Sequence, residues 1–268
     1  MLRTVTRSTA KYTAIFRTQL LNSLAYPADL FSRSLTMVLF MWIFLNLWRV
    51  TYNAVGSEIE GLSLGETMWY LMVAETIVLS RPRLSRNVAD AVKEGSIAYL
   101  LNKPYHFLLY QASIAFGDSL LRMVANALAG GLVVWWTVGP PPSPVGLPFV
   151  LVAMTLAWLI DFCINALIGL LAFLVEDVSA FEWIYSKFVL VLGGVLIPLD
   201  FFPAWLKSFA LALPFAASTY GPARLFVDAS FVRFLDLLWK QGFWLLVLGG
   251  ALAYFYHRTE KWLSINGG

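Results

Sequence analysis

The residues that could do chemistry are few. Glu75, Asp118, Arg122 and Asp161 fall within or beside long apolar runs, where a charge is costly and so points to a partner or a function. Asp118 and Arg122 stand four residues apart, a spacing that puts both on one helix face, so a local ion pair accounts for them. Glu75 and Asp161 have no such neighbour. They either face a polar path or hydrogen-bond Asn126 or Asn165 between helices. None of these carboxylates is spaced as the acid–base pair that a membrane-embedded enzyme acting on lipid would need, and His106 and His257 show no ligand spacing. Cys163 is the one cysteine, which excludes an intrachain disulfide or a Cys-x-x-Cys metal pair and leaves it a packing role. No catalytic residue and no metal site is expected. The sequence contains no GxxxxGK[ST] stretch, so the chain does not cradle nucleotide phosphates by that route.

The elements that must position these residues are membrane helices. The chain is 59% hydrophobic and 13% charged, with eleven Trp, twenty Phe and two His among 268 residues, and its mean hydropathy is +0.71. Those values describe a polytopic membrane protein with room for roughly six spans of about 20 residues. A net charge of +3 could suggest a nucleic-acid partner, but the basic residues flank apolar runs, so topology explains them and no nucleic acid is expected. Residues 1–28 carry Arg3, Arg7, Lys11 and Arg17 without a cleavable signal pattern. Tyr12, Ile15, Phe16, Leu20 and Leu24 recur at helical spacing opposite Arg7, Lys11, Thr18 and Asn22, which predicts an interfacial helix ending near Pro27.

Spans are expected at 30–48, 64–80, 118–138, 147–175, 181–199 and 237–256. Residues 51–63 read as a polar outer loop, 105–116 as apolar but too short to cross, and the uncharged turn 139–148 as external. The acidic loop 176–187 then falls in the cytoplasm. Residues 200–222 are apolar yet broken by prolines and charged at Asp200 and Lys207, so they must be buried in protein or dip in and return. Charge counting alone leaves the orientation of the C-terminal part open.

The longest polar stretch is the basic loop from Arg81 to Lys103, which positive-inside bias places in the cytoplasm. Val88, Val92, Tyr99 and Leu100 predict a short amphipathic helix there, interrupted or capped at Gly95. At its end, Lys93, Glu94, Gly95, Ile97, Tyr99, Leu100, Leu101, Lys103 and the following Pro104, with Val92 just ahead of them, resemble the "basic, x, Gly, x, hydrophobic, x, x, Leu-Leu, x, basic, Pro" segment of the type-2 ABC exporter permeases. A second run is more specific. Gly194, Pro198, Leu199, Asp200, Phe202, Pro203, Trp205 and Leu206, then Leu213-Pro214-Phe215 and Tyr220 with Pro222, are similar to the "G-x-x-x-P-L-D-x-F-P-x-W-L … L-P-F … Y-x-P" run of the same family.

The resemblance implies an all-α membrane domain over 1–268. It would have six transmembrane helices, an N-terminal interfacial helix, a cytoplasmic coupling helix in 88–104 and extracellular re-entrant helices in 200–222. It implies a permease subunit of an ATP-driven exporter, paired with a second copy or a related permease and with two ABC ATP-binding subunits. ATP and Mg would be bound by those partners, and this chain would hold no cofactor. Glu94 and Lys103 would steer the ATPase while Tyr99, Leu100 and Leu101 anchor it; Pro198, Asp200, Phe202, Pro203, Trp205 and Pro214 would form the outer gate. The expected setting is a bacterial-type inner membrane, multi-pass and in contact with lipid, with both termini cytoplasmic. No residue chooses among drugs, peptides, lipids and glycans, although the apolar, aromatic spans favour an amphiphile. The alternative is an ATP-independent scaffold or channel subunit.

Overall fold

Apolar residues at three- and four-residue spacing carry this chain into helix almost throughout. A computed structural model describes residues 2–101, 105–143, 146–175 and 177–266. The first helix, α1 (Leu2–Leu24), turns the half-buried face Tyr12, Ile15, Phe16 and Leu20 inward and leaves Lys11, Thr18 and Asn22 exposed. That face meets protein: Phe16 packs on Phe116 with ring centroids 5.6 Å apart. Pro27 then opens α2 (Pro27–Val55), a position where its missing N–H costs nothing.

The expected outer loop is largely ordered. α2 continues to Val55, and an antiparallel hairpin follows, β1 (Glu58–Ile59) with β2 (Leu62–Ser63), pairing Glu58 with Ser63. Tyr52 Oη donates to the Leu62 carbonyl at 2.8 Å and fixes the hairpin on α2. Ser63 and Glu66 form a reciprocal capping box that starts α3 (Leu64–Leu79). α3 is buried from Thr67 to Ile77, enclosed by α2, α6 (Phe107–Val138) and α10 (Gly221–Val227). The main core therefore sits around it, with Met37, Met41, Met68, Tyr70, Leu71 and Val134 all fully buried.

After α3 come α4 (Leu84–Lys93) and the five-residue α5 (Ile97–Leu101), separated at Gly95, whose φ is +72°. The predicted interruption at Gly95 thus divides the 88–104 region into two helices; Lys103 and Pro104 lie outside the described residues. α6 begins at Phe107 rather than near Asp118. The apolar stretch read as too short to cross forms the first turns of a continuous helix, because nothing between 107 and 118 breaks the hydrogen-bond ladder. α7 (Leu147–Leu171) stops before the expected Val175, its end closed by turn bonds such as Leu174 N to Leu171 O at 2.8 Å.

α8 (Ser179–Leu192) ends well short of Leu199, since Gly193 and Gly194 turn the chain. A 3₁₀ turn (Leu199–Phe201), α9 (Ala204–Leu211) and a π-helical turn (Ala216–Tyr220) then lead into α10. The last helix, α11 (Phe231–Asn266), contains the stretch 237–256 and packs along α7. Among the described residues, three helical stretches are long and apolar enough to cross a membrane: Ser34–Val55, Phe107–Val138 and Leu147–Leu171. α3 and α8, with 16 and 14 residues, reach about 24 Å and about 21 Å.

Candidate functional site

The basic segment after α3 is held from beneath. Leu84, Val88, Ala91 and Ile97 are buried against Phe107 of α6 and Phe162, Ala166 and Leu170 of α7. Gly169 makes the close crossing possible: a Cβ there would meet Ser85 Cα at 3.2 Å and Val88 Cβ at 3.3 Å. With one face of α4 occupied in this way, Lys93, Glu94, Gly95 and Tyr99 project outward, Tyr99 at 68% exposure. Val92 and Leu100 are half-buried against the same core. Ile97 is therefore a footing for this surface, while Glu94 and Tyr99 are exposed and Leu100 is half-buried at its edge. Lys93 Nζ lies 4.0 Å from Asp177 beyond α7. The Ser179 amide donates to Asp177 at 2.9 Å and, ahead of the weaker pull of Lys93, holds that carboxylate below its ordinary range.

A buried polar network begins at Arg81, where the chain leaves α3 and three residues before α4 starts. Arg81 Nε donates to Asp161 Oδ2 at 3.2 Å, Tyr185 Oη donates to Asp161 Oδ1 at 2.5 Å, and the guanidinium stacks 5.1 Å from the Tyr185 ring centre. Glu75, itself buried, is within electrostatic reach of Arg81. Asp118 and Arg122 form the expected i,i+4 pair, with Arg122 Nη2 2.6 Å from Asp118 Oδ2, and Arg122 also donates to the Arg81 carbonyl at 3.0 Å. The four intramembrane candidates thus converge through one residue, Arg81, read from sequence only as a loop charge. Asn126 bonds Ser80 Oγ at 3.3 Å, and Asn165 bonds the Asp161 backbone carbonyl at 2.9 Å, so neither asparagine takes the carboxylate of Asp161 or Glu75. Ser85 Oγ donates to Glu182 Oε1 at 2.7 Å while Arg86 Nη2 lies 3.1 Å from Glu182 Oε2, fastening α8 to α4.

The proline-rich segment sits at the other end of α3. Asp200 is its hub: Lys207 Nζ lies at 2.8 Å, Arg224 Nε at 3.3 Å and Tyr220 Oη at 3.0 Å. Tyr70 of α3 donates to the Gly194 carbonyl at 2.7 Å, and its ring lies 5.9 Å from that of Tyr220. Gly194 has φ +71°, and a Cβ would fall 2.6 Å from Tyr70 Oη, so glycine is required there. Pro198 and Pro214 are buried, Phe202 is half-buried and packs with Leu199, and Pro203 and Trp205 are exposed. Gln241 of α11, fully buried, donates to the Ala153 and Ala217 carbonyls at 2.9 and 3.0 Å and ties the π turn to α7. Arg224 and Gln241 carried no sequence signal. The prolines and Asp200 did.

A family model described as "ABC-2 family transporter protein" matches residues 34–267. No curated protein matches the chain.

Proposed function

The chain belongs to the ABC-2 family of transporter proteins, and from that premise we propose that it is the permease subunit of an ATP-driven exporter. As a member it is a multi-pass membrane protein and the transport component rather than the catalyst. The observation that carries the rest is the pedestal geometry of α4 and α5: an exposed Glu94–Tyr99 surface on a buried apolar footing. In this reading two ATP-binding subunits dock on that surface, hydrolyse ATP with Mg, and move α4 against α7.

The six spans are α2, α3, α6, α7, α8 and α11, with both termini and α4–α5 cytoplasmic and the Asp200 segment re-entrant from outside. α3 is short for a hydrocarbon core of about 30 Å, yet it is enclosed by other helices, so lipid does not set its length. α8 supports a permease dimer. Only Tyr185 and Val189 of this helix are buried, while Ser186 and Lys187 are exposed beside Phe181, Trp183, Ile184 and Phe188. The Ser186 hydroxyl already donates to the Trp183 carbonyl at 2.7 Å, but a second copy, or a related permease, offers the Lys187 ammonium acceptors that lipid cannot. The apolar, aromatic path walls favour an amphiphilic substrate.

The test is gentle purification of the tagged protein from its own membrane, with co-purifying chains identified by mass spectrometry. A stoichiometric soluble protein with a GxxxxGK[ST] loop is the expected result. Recovery of the chain alone in several mild detergents would favour the ATP-independent scaffold or channel instead.

A further inference from the structure

A cavity of about 220 Å³ opens where α1, α4 and α6 come together, its polar wall made by Gln19 of α1, Arg83 and Asn87 at the start of α4, and Gln111 and Asp118 of α6. α1 packs along α6 while α4 packs chiefly on α7, so the cavity is the gap between two helices that rest on different neighbours. Gly117 draws α1 onto α6 beside it: a Cβ there would meet the Phe16 carbonyl at 3.1 Å and Gln19 Cβ at 3.2 Å. The residue that calls for a ligand is Gln111. It is 8% exposed, lines the cavity, and its side chain makes no hydrogen bond among the described residues. Its amide keeps accessible surface, so a group in the cavity can reach it. A carboxamide this deep is costly to leave without partners. The Asn87 side chain makes no bond among the described residues either, and of the Asp118 carboxylate only Oδ2 is taken, by Arg122.

The wall selects for hydroxyl groups. Each carboxamide offers a donor and an acceptor side by side, and three of them suit a group that also donates and accepts. An anion would meet the Asp118 carboxylate and an ammonium would meet the Arg83 guanidinium, so a neutral polyol fits better than either charge. The volume is below the roughly 300 Å³ at which pockets for drug-sized ligands begin, which suits one ring. Leu84 and Ile114 complete the lining and suit the C–H face of that ring. We infer that this cavity binds the neutral hexose ring of a glycolipid headgroup, which bridges α1 to α4. The lipid source rests on α1 being an interfacial helix, as the permease proposal has it; the ring chemistry does not.

The experiment places the purified full-length chain in phosphatidylcholine nanodiscs, free of sugar detergents, and measures binding of radiolabelled hexyl β-glucoside and hexyl β-galactoside above the uptake of empty discs. Saturable binding of at least one hexoside is expected, with hexyl phosphate at least about tenfold weaker. Gln111→Leu should weaken hexoside binding about tenfold, as lost hydrogen bonds to a ligand do, without lowering Tm, because Gln111 bonds nothing inside the protein. Asn87→Ala, at an exposed position of α4, should weaken it several-fold and keeps the test open should Gln111→Leu fold poorly. Absence of saturable hexoside binding, equal binding of hexyl phosphate, or an affinity unchanged by both substitutions overturns the proposal. Competition by the free hexose at the same concentration as its hexyl glycoside overturns the glycolipid assignment in favour of a free sugar. No ATPase takes part in this measurement, so the permease proposal stands or falls separately, on co-purification.

Discussion

The two ends of α3 are built on opposite principles. At its N-terminal end, the Asp200 carboxylate collects Lys207, Arg224 and Tyr220, the Gly194 carbonyl takes Tyr70, and Gln241 ties the π turn to α7. Polar side chains there are spent on one another. At its C-terminal end the network around Arg81 is equally dense, yet the chain runs on from it into α4 and α5, whose outer face leaves Lys93, Glu94 and Tyr99 exposed. One end is a closed cap. The other is a pedestal with an exposed upper surface, and under the permease proposal that surface is where the ATPase acts.

Substitutions should separate the two ends. Asp200→Ala strands Lys207 and Arg224 in a half-buried site and should cost about 3 kcal/mol, toward the lower end of what breaking a buried ion pair costs. Thermal unfolding followed by tryptophan fluorescence in detergent reads this as a clear fall in Tm; an unchanged Tm would mean the cap is not locked. Gly194→Ala forces a left-handed φ on a residue with Cβ and drives that atom toward Tyr70 and Leu199, for about 2 kcal/mol by the same measurement.

The pedestal should behave differently. Tyr99→Ala and Glu94→Lys should shift stability by no more than about 0.5 kcal/mol, as exposed positions do, while ATP-driven export in reconstituted vesicles falls about tenfold. Normal export by both variants would erase the functional half of the contrast. Least of all, Lys93→Gln should leave Tm unchanged, because its pair with Asp177 is 4.0 Å long and both side chains are more than half exposed.

Much of this arrangement is legible in the sequence. Helical spacing in α1, the break at Gly95, and the proline-rich run around Asp200 are local signals, and local signals survive in a sequence. The i,i+4 pair of Asp118 and Arg122 is local too. What was hidden depends on distance along the chain: Asp161 finds Arg81 80 residues away, and Ser85 finds Glu182 across 97. Arg81 in particular looked like an ordinary loop cation, since positive-inside bias explains its position without requiring a partner. Helix ends were misplaced where burial overrode polarity. Asp118 and Arg122 looked like a boundary because they are charged, yet once paired they sit inside α6 and the helix passes through them.

The most direct measurement places a photo-activated cross-linking residue at position 99 in one sample and at position 205 in another, in cells carrying the intact complex. Both Tyr99 and Trp205 are exposed, so reach alone does not favour either. Position 99 should capture a soluble protein bearing a GxxxxGK[ST] loop, with a yield that changes when ATP is depleted, and position 205 should capture none. Capture of that protein from position 205, or from neither position, would contradict the assignment of the pedestal as the coupling surface.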